Sequence, residues 1–146
     1  MFKMNGNVEL LNYIHQNAEM GKNTIGQLIG ISEEEEYKKL LQTLLQEYKS
    51  IYDRTDKKLK EVNKVAKNIN SFSKASTYIM INLKTLTNKT PSHISEMLIQ
   101  GSTMGIIDLT KKLKEYADAD QEILALANQL LKLEQNNVEE CKKFLQ

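Results

Sequence analysis

Glu134 is the residue of this sequence best placed to do chemistry. Ala127, Leu130, Leu131, Val138 and Cys141 recur around it at helical spacing, so it falls inside an apolar stripe. An unpaired carboxylate is costly to remove from water. Glu134 must therefore reach the stripe's edge, pair with a lysine or tyrosine, or hold a cation. His15 and Glu19 lie four residues apart, hence one turn apart on one helical face. That spacing suits a metal pair or a proton relay, and equally an ordinary surface pair flanking a core stripe. His93, the other histidine, stands in the first turn after Pro91, which predicts exposure. Glycine inside a helix costs about 1 kcal/mol relative to alanine. Gly21, Gly26, Gly101 and Gly105 therefore predict either close helix approach or room for a ligand, lined by Ser102, Thr103 and Asp108. Cys141 is the only cysteine and reads as a buried thiol, not a nucleophile. No glycine-rich phosphate loop or nucleophile elbow occurs.

The elements that must position these residues are helices. A first helix is predicted from about Val8 to Ile29, capped by Asn7 and ended by Gly30, with Leu11, Ile14, Ala18, Ile25 and Leu28 on one face. Ser32-Glu33-Glu34-Glu35 reads as a capping box for a second helix running to roughly Ala66. Acidic residues crowd its start and lysines its end, as the helix dipole favours. The stretch from Lys67 to Lys89 is less regular. Ala75, Ile79, Leu83 and Leu86 predict a short helix there, although Tyr78 to Ile81 also fits a strand. Thr90-Pro91 opens another helix, and Asp118 is expected to cap the last. The expected fold class is all-α, a single domain over 1–146: an antiparallel four-helix bundle of two hairpins joined by a long crossover carrying a short extra helix.

This order of helices and loops resembles the ferritin-like superfamily, in particular small bacterial members lacking the di-metal ligand set. The family's di-metal members carry a Glu on each of two helices and Glu-x-x-His on each of the other two. Here Glu134-Gln135-Asn136-Asn137 puts Asn137 where the family's His would be, and Glu47-Tyr48-Lys49-Ser50 puts Ser50 there. The resemblance implies Glu19, Glu47, Glu134 and His15 as the metal-ligand candidates. With both motif histidines replaced, no standard di-iron chemistry and no cofactor are expected.

Composition narrows the partners. Twenty basic residues nearly balance nineteen acidic ones, for a net charge of +1. The basic excess of a nucleic-acid binder is absent, and Arg54 is the sole arginine. No apolar run approaches the ~18 residues of a membrane span. With one cysteine and no apolar signal core, a cytoplasmic location is expected. The leading expectation is a non-catalytic bundle acting through protein contacts, as a homodimer or with an unidentified protein partner. The alternatives are a divergent metal-binding or redox protein and a binder of a small apolar ligand near the glycines.

Overall fold

The computed structural model of the chain describes residues 2–62 and 74–146. Among these residues there are five helices and no strand: α1 (Phe2–Ile31), α2 (Glu35–Glu61), α3 (Lys74–Lys84), α4 (Pro91–Glu115) and α5 (Gln121–Lys142). The all-helical class thus holds, and Tyr78 to Ile81 lie within α3. Lys67 to Ser73, and the expected continuation of α2 to Ala66, fall outside the described residues.

The predicted stripes form the core. Leu11, Ile14, Ala18, Ile25 and Leu28 of α1 are buried against Tyr37, Leu41, Leu44, Tyr48 and Ile51 of α2 and their neighbours. Ile94, Leu98 and Leu109 of α4, with Ile123, Ala127, Leu130 and Cys141 of α5, complete it. α1 packs chiefly on α2 and α4 on α5, while α3 lies against α4 and α1. Hydrogen bonds show which ends meet. At one end the Tyr116 hydroxyl donates to Glu9, Asn7 Oδ1 accepts the Asp120 N–H at 2.8 Å, and Lys58 pairs with Glu122. At the other, Tyr37 meets Ser95 at 2.9 Å and packs edge-on against Phe144.

Helix ends depart from expectation in instructive ways. α1 begins at Phe2, so Asn7 is an interior residue that serves the start of α5 across the bundle. Gly30 does not end α1. Ser32 does: its N–H and its hydroxyl both donate to the Leu28 carbonyl, at 3.0 and 2.7 Å. That commitment dissolves the capping box. α2 is instead capped by Glu34, whose side chain makes no cap bond. Asp120, not Asp118, caps α5, also without a side-chain bond. Thr90 behaves as predicted, accepting the His93 N–H at 3.2 Å ahead of Pro91. His93 itself is half-buried. Along the helices, Asn12, Thr43, Thr103, Thr110 and Asn128 each donate to the carbonyl four residues back, which satisfies polar side chains within their own turn.

Candidate functional site

Three helices bring polar groups to Glu134. Tyr48 of α2 donates its hydroxyl to Glu134 Oε1 at 2.7 Å. Ser102 of α4 lies beside the same carboxylate and lowers its pKa. Asn137, one turn further along α5, donates from Nδ2 to Ser102 Oγ at 2.7 Å, and the Cys141 thiol donates to Asn137 Oδ1 at 3.3 Å. Since Ser102 Oγ accepts from Asn137, its own proton is left for Glu134. The hydrogens therefore run from Cys141 through Asn137 to Ser102, beside the carboxylate that Tyr48 meets. Among the described residues no lysine or arginine pairs with Glu134. Burial raises the Glu134 carboxyl pKa above its usual range, although Ser102 and the Tyr48 bond pull it back. Burial also lifts the Tyr48 phenol well above its ordinary value, reinforced by the adjacent carboxylate. The Cys141 thiol is pushed up to about 12 by burial. Phenol and thiol thus keep their protons at neutral pH, so neither is an activated nucleophile.

Glycines shape the space beside this network. A Cβ on Gly21 would lie 2.6 Å from Tyr48 Cζ, with Cδ1 and Cε1 closer still. Gly21 is what lets the ring lie on the α1 backbone. A Cβ on Gly101 would stand 2.6 Å from Ile79 Cδ1, so Gly101 receives the α3 side chain. Close approach therefore holds at both positions. Gly105 differs: its nearest neighbour would be Glu134 Cδ at 3.8 Å, an ordinary contact, so its role is not helix packing but room beside a carboxylate. Gly26 has nothing within 4 Å. Between these residues lies a cavity of about 50 Å³. Asn17, Met20 and Thr24 of α1 line it, Ser76 and Ile79 of α3 form one wall, and Leu98, Ser102, Glu134 and Asn137 another. That volume suits roughly three to five waters or one very small ligand. Of the other residues expected around such a space, Thr103 is exposed, and Asp108 accepts the Tyr13 hydroxyl at 2.6 Å.

The candidates implied by the family resemblance are not gathered there. His15 is buried between α1 and α2, its Nε2 3.6 Å from Asp56 Oδ1 and its ring 4.5 Å from the Tyr52 ring. Neither ring nitrogen has a hydrogen-bond partner among the described residues. Burial lowers its pKa, against the pull of Asp56 and Glu19. Glu19 accompanies His15 on that α1 face and is half-buried. Glu47 is on the exposed side of α2, lining a surface groove with Glu139 and Glu140 of α5, and partial burial raises its carboxyl pKa. Ser50 is exposed, and Asn137 is committed through both ends of its amide. Among the described residues no three of His, Cys, Asp and Glu converge on a point that could hold a metal ion. The residues present do not fit a di-metal centre. No family model, curated protein or solved structure matches this chain.

Sequence reasoning found Glu134 and the alternative that it pairs with a tyrosine, but not which tyrosine. Tyr48 occupies the α2 stripe, and a phenol in one stripe facing a carboxylate in another is the signal that names the pair. Asn17 and Thr24 carried no comparable signal, because a lone polar residue at helical spacing is indistinguishable from one that bonds its own backbone; Asn137 drew notice only as the residue standing where the family's His would be.

Proposed function

We propose that this chain is a ferritin-like helical bundle that binds a small molecule in its interior, in the cavity beside Glu134, without metals and without catalysing a reaction. The observation that carries this reading is a half-buried carboxylate that lacks a cationic partner among the described residues and borders a cavity. Burying such a group is unfavourable unless something compensates it. Tyr48 supplies a hydrogen bond and Ser102 a neighbouring hydroxyl, but neither supplies charge. The protonated phenol and thiol argue for binding over catalysis. Binding in the cavity is preferred to action through protein contacts alone because the Glu134 carboxylate and the glycines that leave room beside it meet there.

The ferritin-like part of the proposal rests on which ends meet. Asn7 touching Asp120, and Lys58 pairing with Glu122, fit α1 and α5 running one way while α2 and α4 run the other. The Tyr37–Ser95 bond at the opposite end agrees. Two antiparallel hairpins joined by a crossover that includes α3 would have the connectivity of that family.

The test is a nuclear magnetic resonance titration of the ¹⁵N-labelled chain with a mixture of fragments of about six heavy atoms or fewer, cationic, neutral and anionic. Amide shifts centred on Gly101, Ser102, Gly105 and Asn137 are expected. Shifts confined to surface residues such as Glu47 and Glu139 would refute interior binding.

A further inference from the structure

The hydrogen bonds around the cavity narrow what it can accept. Most polar hydrogens of its wall are already directed elsewhere, the second amide hydrogens of Asn17 and Asn137 excepted. Asn17 Nδ2 donates to the Tyr13 carbonyl at 2.8 Å, and the Thr24 hydroxyl points at Met20 Sδ at 3.5 Å. Tyr48 donates to Glu134, with the Ser102 hydroxyl beside the same carboxylate, and Asn137 donates to Ser102. What these groups retain is acceptor capacity: carboxylate oxygens of Glu134, the amide oxygen of Asn17 and the hydroxyl oxygen of Thr24. A ligand that brings acceptors would find at most one amide hydrogen each from Asn17 and Asn137. A ligand that brings only donors would find several.

Charge selects further. Glu134 is the charged group among the residues lining the cavity, and Asn17, Thr24, Ser76 and Tyr48 around it are neutral. Met20, Ile25, Ile79 and Leu98 complete the lining with apolar surface. A donor-only head with positive charge and a short apolar body is a primary alkylammonium: three N–H donors, no acceptor. We infer that the cavity binds a small primary amine as its ammonium ion, the head paired with Glu134 and the alkyl group against Met20, Ile79 and Leu98. This rests on the interior-binding reading above and gives it a ligand class. The volume of about 50 Å³ favours methylamine, ethylamine or a molecule close to them in size, although the cavity is partly open to solvent. For so few heavy atoms the attainable dissociation constant is about millimolar at best.

The experiment titrates the intact, ¹⁵N-labelled chain with methylamine, ethylamine and propylamine hydrochlorides, and separately with methanol, ethanol and propanol, at constant ionic strength. The amides of Gly101, Ser102 and Gly105 are followed. The amines should bind with dissociation constants roughly tenfold or more below those of the matched alcohols, because only they supply the counter-charge. Glu134→Gln should abolish that preference. Should this variant fail to fold, Gly105→Ala serves instead. Its new methyl would sit at ordinary contact distance from the carboxylate and narrow the space, so it should fold and bind amines more weakly. Alcohols binding as tightly as amines, or amine binding unchanged in both variants, would overturn the ammonium assignment while leaving interior binding intact. No response of these amides to any probe would overturn both.

Discussion

Gly21→Ala places a single methyl group against the ring that anchors the polar network. The added Cβ would lie 2.6 Å from Tyr48 Cζ. Restoring a normal carbon–carbon separation of roughly 3.5–4.0 Å requires the ring to move by about 1 Å. Tyr48 is buried, and its hydroxyl is held at 2.7 Å from Glu134, so the ring cannot retreat without losing that bond. Overpacking costs about 1–3 kcal/mol, and a hydrogen bond to a charged acceptor contributes about 1.5–3 kcal/mol. Alanine's better helix propensity returns about 1 kcal/mol. The net expectation is a loss of about 2–4 kcal/mol, which at ~3 °C per kcal/mol lowers Tm by about 6–12 °C. Thermal and urea melts of the variant measure this directly. A double-mutant cycle isolates the cause: with the ring removed by Tyr48→Ala, Gly21→Ala should become stabilising by about 1 kcal/mol. Gly26→Ala, with nothing within 4 Å of the new methyl, is the control and should be stabilising. A Gly21→Ala chain as stable as the parent, or equally destabilised with and without the Tyr48 ring, would refute the reasoning.

The other expectations concern charge and caps. Because Glu134 holds its proton more tightly when folded, the folded chain binds more protons than the unfolded one above the ordinary value of 4.5, and stability falls as pH rises through the window up to the raised value. Glu134→Gln removes that slope, so its Tm relative to the parent should climb across the window and level off above it; a parallel pH profile would contradict the assignment. His15 shows the opposite behaviour. Burial lowers its pKa below 6.5, so protonation favours the unfolded chain and stability is lost as pH falls through that range. His15→Phe should flatten the change in urea midpoint between about pH 7 and pH 5. Thr90→Ala removes the one side-chain cap bond seen at a helix start among the described residues and should cost about 1 kcal/mol, or ~3 °C in Tm. Asp120→Ala, which loses no such bond, should cost much less in the same melts.

The interior of the fold was more legible in the sequence than its edges. Leu11, Ile14, Ala18, Ile25 and Leu28 announce their common face through the 3.6-residue period alone, and all five are buried. Thr90-Pro91 marks a helix start by chemistry that acts within three residues. The other boundaries failed where a side chain chose between two satisfactory partners. Ser32 bonds backward to Leu28 and not forward into α2, and Asn7 reaches Asp120 across the bundle. Local spacing cannot decide such contests. The site divides the same way. The stripe around Glu134 exposed it as anomalous, but its meeting with Tyr48, 86 residues away, is a product of packing. At Gly105 the choice between close packing and open room stayed undecided, because sequence registers a missing side chain without showing what stands beside the space, which here is a carboxylate.

The backward hydrogen bonds of Asn12, Thr43, Thr103, Thr110 and Asn128 have an evolutionary consequence. Each of these side chains donates within its own turn, and Thr43, Thr103, Thr110 and Asn128 do so on the exposed surface. Replacing one of those four by lysine, glutamine or alanine leaves the ladder of main-chain bonds whole and gains helix propensity. Such sites are free to follow the nucleotide composition of whatever genome carries them. Gly21, Tyr48, Gly101 and Glu134 have no such freedom, since each is held by atoms of another helix. Descent in bundles of this kind would therefore erase overall identity quickly while leaving a sparse constellation, two glycines, a phenol and a carboxylate at fixed separations, as the trace of common ancestry.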